Sequence, residues 1–224
     1  MNFPFIQLYG ICIFIGIVTA LWLIQKKEKI DILSDNVFQN IIIYLYCGGC
    51  IGARLWYVII DDPEAHFFAF YDGGFSLLGA TTGACIVLVI LDTLRYCQKN
   101  LYMIIPMYAL IINGFGRIGC YCAPCCTGYL FTIPVQLCSA LFYFCCFLIV
   151  YYVSYRYKNF LYEYIVLYGF FIALERFLFD YFRYDCIPYY YGFLSQYQFN
   201  GLLFFVVCML LYMYKRVFRY SFPS

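Results

Sequence analysis

Predominantly apolar stretches of about 20 residues recur along this chain. They fall at 5–25, 37–60, 75–93, 100–116, 131–153, 160–181 and 196–214. Each is long enough to cross a hydrocarbon core of about 30 Å as a helix. Charged residues make up 12% of the 224 positions and hydrophobic ones 66%, against roughly 25% charged in a soluble domain. So few charges cannot cover a soluble surface this rich in Phe and Tyr. Disorder is excluded by the same composition. A net charge of +2, with short basic runs only, argues against nucleic-acid binding. The expected architecture is all-α: a polytopic membrane protein of about seven spans, residues 1–224 forming one transmembrane domain in a lipid bilayer.

Orientation follows from the lysines. Met1 and Asn2 precede the first apolar run, and Lys26, Lys27 and Lys29 follow it. That order is the reverse of a cleavable signal peptide, and it sets the N-terminus outside. The inner segments are then 26–36, 94–99, 154–159 and 215–224, with the C-terminus cytoplasmic. They hold Lys26, Lys27, Lys29, Arg95, Lys99, Arg156, Lys158, Lys215, Arg216 and Arg219, which include all six lysines. The outer loop near 61–72 carries Asp61, Asp62, Glu64 and Asp72 without a basic residue.

Subtraction leaves Arg54, Arg117, Arg176 and Arg183. An arginine at the bilayer centre costs at least about 2.5–3.5 kcal/mol. Two readings are open. Each arginine snorkels to an interface or pairs with a carboxylate for packing. Alternatively, the set forms a cationic pocket, in which planar guanidinium groups suit a phosphate. In a bilayer that phosphate would be a phospholipid headgroup.

Four segments carry chemistry. In 113–128, Gly114, Gly116 and Gly119 frame Arg117; a helix breaking there would free backbone amides for a ligand. Arg176, Asp180 and Arg183 stand at i, i+4 and i+7, which predicts one helical face. That stripe could be a structural ion network or a phosphate clamp, and Glu175 is directed about 100° away from Arg176. Asp72-Gly73-Gly74 reads as a turn into the third span. Gly52-Ala53-Arg54 places an arginine after small residues, with Asn40 earlier in the same span. Ten of the 14 cysteines are scattered as small hydrophobes. Cys120, Cys122, Cys125 and Cys126 cluster, and could bind a thiophilic metal or do redox chemistry. His66 is a lone loop histidine, solvated or catalytic.

In order along the chain, these segments resemble the prolipoprotein diacylglyceryl transferase family. Tyr9-Gly10 resembles its Trp-Tyr-Gly, and Gly52-Ala53-Arg54-Leu55-Trp56-Tyr57-Val58 with Asn40 its second-span pattern. Asp72-Gly73-Gly74-Phe75-Ser76 resembles Asp-Gly-Gly-Met-Ser, and Gly116-Arg117-Ile118-Gly119 with Gly128 resembles Gly-Arg-x-Gly-Asn…Gly. Pro134-Val135-Gln136-Leu137 resembles Pro-Ser-Gln-Leu. Arg176-x-x-x-Asp180-x-x-Arg183 resembles Arg-x-x-x-Glu-x-x-Arg, and Ser195-x-x-Gln198 resembles Ser-x-Gly-Gln. The chain departs from the pattern at Leu78, where the family has His, and at Cys120 (Asn), Cys125 (Glu) and Ser139 (Glu). Residues 129–133 replace the outer segment of the family, so that soluble part is expected to be essentially absent.

The resemblance implies a bacterial cell-membrane enzyme that takes phosphatidylglycerol and the lipobox of a prolipoprotein signal peptide. The lipobox thiolate attacks the glyceryl C3 carbon and displaces glycerol-1-phosphate. By that resemblance Arg117 and Arg176 stabilise the leaving phosphate, Arg54 and Arg183 support them, and Asp180 orients Arg176 and Arg183. Tyr9 hydrogen-bonds the headgroup. Asn40, Asp72, Gly119, Gly128, Gln136 and Gln198 belong to the substrate site. No cofactor is implied. The alternatives are a phospholipid-headgroup transferase with another acceptor and a non-enzymatic or redox protein built on the cysteine cluster.

Overall fold

The computed structural model describes residues 3–28, 36–61, 64, 66–68, 76–94, 96, 101–123, 126–130, 132–156, 164–184 and 194–221. Seven α-helices form among them: α1 (Phe3–Glu28), α2 (Asn36–Trp56), α3 (Leu77–Thr93), α4 (Leu101–Cys122), α5 (Val135–Arg156), α6 (Tyr164–Phe179) and α7 (Gln196–Ser221). Two antiparallel strands, β1 (Tyr129–Leu130) and β2 (Ile133–Pro134), pair Tyr129 with Pro134 and Leu130 with Ile133. Five helices are long and apolar enough to cross a membrane; α3 is apolar but shorter. Cationic residues close several of them, with Lys26 and Lys27 in the last turn of α1 and Arg156 in that of α5. There they complement the negative end of the helix dipole.

Contacts divide the chain into two compact units. The first holds Met1–Ile30 and Met103–Phe205, the second Asp31–Tyr102 and Val206–Ser224.

In the second unit, α2 and α3 meet backbone to backbone. Gly48 and Gly52 stand four residues apart on α2, and Gly79 and Gly83 four apart on α3. A Cβ on Gly52 would fall against the Gly79 carbonyl oxygen and the Gly83 Cα, and one on Gly83 against the Gly48 carbonyl oxygen. Small residues at this spacing let two helices in an apolar medium gain close van der Waals contact, where hydrophobic drive is lacking. The entrance to α3 is tied to the same helix, since the Ser76 amide donates to the Ala53 carbonyl at 3.2 Å. After Trp56 the second span continues as one π-helical turn, Tyr57–Asp61.

In the first unit, α4 runs unbroken through Gly114, Gly116 and Gly119. The expected break is therefore absent, and the fourth span is longer than 100–116. Gly114 and Gly119 serve side-chain packing instead, while a Cβ on Gly116 would meet nothing within 4 Å. A Cβ on Gly114 would collide with the Phe144 ring of α5, and one on Gly119 would stand 2.9 Å from Tyr9 Cδ2 of α1. Phe115 lies edge-on to Phe144 at 5.4 Å, and Gly16 of α1 leaves room for it. At the far end of α1, Lys27 Nζ donates to Ser154 Oγ at 2.7 Å and sits 4.1 Å above the Tyr151 ring.

Replacing Gly83 by Val forces side-chain atoms into the α2 backbone. The expected cost is about 1–3 kcal/mol, read as a lowered unfolding midpoint in detergent, with Gly83→Ala in between.

Candidate phosphate-binding site

Among the described residues of the first unit, five buried charged groups stand out: Arg117, Glu175, Arg176, Asp180 and Arg183. They come from α4, α6 and the chain that follows α6. Glu175 is the hub, with 2% of its surface exposed. Arg117 Nη2 lies 2.7 Å from Glu175 Oε1 and 2.9 Å from Oε2. Ser139 Oγ of α5 donates to Oε1, and the Tyr143 hydroxyl donates to Oε2 at 3.3 Å. Arg176 Nε stands 3.6 Å from Oε2, within ion-pair range but beyond a hydrogen bond. Three helices thus converge on one carboxylate.

A second pair lies one step further along the chain. The α-helix stops at Phe179, and Asp180–Phe182 form a single 3-10 turn. Arg183 is then extended, with φ −91 and ψ 138. The expected single face carrying 176, 180 and 183 is therefore corrected. Arg183 Nη1 meets Asp180 Oδ1, three residues away, at 3.3 Å. Asp180 Oδ2 accepts from Ser195 Oγ at 3.1 Å. The carboxylate beside Arg176 is Glu175, and Asp180 is the hydrogen-bonding partner of Arg183.

Ser195 and Gln198 form a capping box at the start of α7. The Gln198 amide donates to Ser195 Oγ, and the Ser195 amide donates to Gln198 Oε1, both at 3.1 Å. The first turn of α7 then presents Tyr197 to both arginines. Its ring centroid is 4.3 Å from Arg183 Cζ and 5.8 Å from Arg176 Cζ, a cation–π arrangement. Gly128 bridges to Arg183, and a Cβ there would strike the Phe182 carbonyl. The Tyr184 amide donates to the Thr127 carbonyl at 2.9 Å. The strand ends near 128 and 183 are locked together by these contacts.

The structure thus brings Arg117, Arg176, Arg183, Asp180, Gly128 and Gln198 into one unit, with Gln136 buried on α5 and Tyr9 against Gly119. Arg54 belongs to the second unit. Its Nε and Nη2 donate to the carbonyls of Phe67 and His66 at 2.9 and 2.5 Å, and its guanidinium lies 5.6 Å from the Tyr57 ring. Arg54 therefore anchors backbone of the 66–67 loop. Asn40 is exposed and faces the Tyr96 hydroxyl at 3.4 Å. Asp72 and Cys125 lie outside the described residues. Among those described, no three His, Cys, Asp or Glu residues are grouped to hold a metal.

Glu175, Ser139, Tyr143 and Tyr197 were missed as site residues. Glu175 carries the same sequence signal as the four arginines, because a carboxylate in an apolar span is costly too.

The charge count decides what the first unit can do. Three guanidinium groups face two carboxylates, so one positive charge is in excess among its buried described residues. Arg117 Nε and Arg176 Nε are buried without a hydrogen-bond acceptor. Buried donors without acceptors are expensive, and an oxyanion such as phosphate would satisfy both.

Ser195→Ala removes the cap of α7 and the Asp180 hydrogen bond together. A loss of about 1–2 kcal/mol is expected in denaturant titration of the detergent-solubilised protein, largely recovered by Ser195→Thr.

Comparison with known proteins gives one family. Prolipoprotein diacylglyceryl transferase matches residues 2–214. A phosphatidylglycerol–prolipoprotein diacylglyceryl transferase of Clostridium tetani is 32% identical over 139 residues, covering 57% of this chain and 53% of that protein. Proteins of the same name in Limosilactobacillus reuteri and Campylobacter curvus are 30% and 31% identical, over 52% and 50% of this chain and 45% and 48% of theirs. The chain spans about half the length of the curated relatives it matches.

Proposed function

The chain belongs to the prolipoprotein diacylglyceryl transferase family, and from that premise we propose that it transfers a diacylglyceryl group from phosphatidylglycerol to the lipobox cysteine of a prolipoprotein. The reading places the protein in the cytoplasmic membrane of a bacterium as a single transmembrane domain of seven spans. The N-terminus is outside, and α3 and α6 also cross. The observation that supports it most is the excess positive charge around Arg117, Arg176 and Arg183, together with the unpartnered Nε atoms of Arg117 and Arg176.

The phosphodiester of phosphatidylglycerol would lie against Arg117 and Arg176, its oxygens accepting hydrogen bonds from their Nε–H groups. The thiolate attacks C3 of the diacylglyceryl moiety. A C–S bond forms, the C3–O bond to phosphate breaks, and glycerol-1-phosphate departs with the electron pair. Negative charge grows on the leaving oxygen, and fixed guanidinium groups in a dry site stabilise it without reorganising. Arg183, stacked on Tyr197 and held by Asp180, supports the phosphate from the start of α7. Tyr9, on the α1 side of Gly119, hydrogen-bonds the headgroup, and Gln136 and Gln198 complete the polar lining. In the second unit, Arg54 serves substrate binding through the loop backbone it anchors. The thiol must arrive deprotonated. Leu78 stands where the family pattern has His, so the positive field lowers the thiol pKa in place of that side chain.

A second reading keeps the lipid donor and changes the acceptor. It is favoured by the tight β1–β2 hairpin, which joins Gly128 to α5 directly.

Expression in a bacterial strain depleted of its own transferase tests the first reading. Mass spectrometry of a model lipoprotein should show added diacylglyceryl. Arg117→Ala and Arg176→Ala should each lower kcat by about 100-fold or more. Full activity of either variant overturns the assignment, and donor consumption without lipobox modification favours the second reading.

A further inference from the structure

Glu175 meets four partners among the described residues, and its geometry excludes one role and suggests another. Both carboxylate oxygens are engaged. Oε1 receives Arg117 and Ser139; Oε2 receives Arg117 and Tyr143 and faces Arg176. A carboxylate so engaged is a poor proton acceptor, so it does not supply the missing base. It fixes two guanidinium groups instead. Arg117 turns one nitrogen, Nη2, onto Glu175, and this leaves its Nε free to face a ligand. Arg176 presents its Nε to the same carboxylate at a distance too long to use up the donor.

Position 139 sits on the opposite wall, on α5, and its hydroxyl touches Glu175 Oε1. A glutamate at 139 would bring a second carboxylate to the same point, where Arg117 Nη2 already lies 2.7 Å away. Two carboxylates cannot both ionise at that separation. The site therefore accommodates one ionised carboxylate, and either α5 or α6 could carry it. In this chain α6 carries it, and residue 139 is the small serine that completes its hydrogen bonds.

We propose that Glu175 is the positioning residue of the site, and that its carboxylate is interchangeable with one supplied from position 139. The proposal rests on the transferase reading for its kinetic consequences but not for its structural ones.

The experiment compares Glu175→Gln, Ser139→Glu and the double variant Ser139→Glu/Glu175→Gln in nanodiscs of phosphatidylglycerol, with a lipobox peptide as acceptor. Two quantities are read: kcat and KM for transfer, and the rate at which phenylglyoxal labels Arg117 and Arg176, followed by peptide mass spectrometry. Glu175→Gln should lower kcat by about 100-fold while KM changes little, the pattern of a lost transition-state interaction. Labelling of Arg117 should accelerate severalfold, because the guanidinium is no longer pinned. Ser139→Glu alone should also lose activity, through crowding of like charges. The double variant should regain most of kcat and return labelling to the slow rate.

A Glu175→Gln protein with unaltered kcat and labelling overturns the proposal. So does a double variant no better than Glu175→Gln in both quantities. Should Glu175→Gln fail to fold, the double variant decides alone: recovery of a folded, slowly labelled protein supports the exchange, and continued misfolding overturns it. Absence of transfer by the unaltered protein would sink the functional reading, while the labelling comparison would still decide the role of Glu175.

Discussion

An arginine cannot be carried into an apolar helical unit alone. The desolvation penalty of an uncompensated guanidinium is several kcal/mol, comparable with the whole stability of a typical domain. The Glu175 carboxylate answers that constraint for Arg117 directly and for Arg176 in part. Much of the first unit is arranged around it. Ser139 and Tyr143 bring α5 to its oxygens, and Arg117 brings α4. Breaking one partner of such a group costs more than the pair contributes, because the remaining charge stays buried. The polar centre therefore specifies how α4, α5 and α6 pack.

The second pair, Arg183 with Asp180, depends on a different device. It forms where α6 gives way to a 3-10 turn at Asp180 and then to extended chain. There Asp180 accepts from Arg183 on one oxygen and from Ser195 on the other. Ser195 in turn ends its hydroxyl's duties at α7, where it also caps the first turn. One hydroxyl thus links the end of α6 to the beginning of α7. Tyr197 then lies under both arginines without another charged residue. An aromatic face is a cheap partner for a cation in an apolar setting, because it brings no desolvation cost of its own.

How much of this was legible follows from which rules are local. The helices were legible because runs without charge report burial in lipid or protein regardless of partner. The four arginines were legible because each is costly wherever it points. The packing of α2 on α3 was encoded by Gly48, Gly52, Gly79 and Gly83, a spacing that sequence alone displays. Gly114 and Gly119 misled, since a glycine in a span can mark a break or a close neighbour, and only the neighbours Phe144 and Tyr9 distinguish the two. The role of Glu175 is not legible from α6 alone, because its network spans three helices. On α6 it turns away from the 176 face, yet its partners come from α4 and α5. The bend at Asp180 was hidden because no Gly or Pro marks it.

Charge balance at the site is a compromise that the geometry makes visible. With no carboxylate beside Arg117 and Arg176, the unit would bury two uncompensated cations, at a cost to the packing of its helices. With one carboxylate for each, the field at the phosphate position would be neutralised, and the leaving group would gain little. A single carboxylate between the two leaves a net positive charge that the unit can bear when empty and an anion completes when bound. Donors without a hydrogen bond follow from the same ratio: Arg117 and Arg176 cannot both saturate their nitrogens on one Glu175. The unsatisfied Nε atoms are thus the consequence of a shared counter-ion, and they are also the feature best suited to recognise a phosphate.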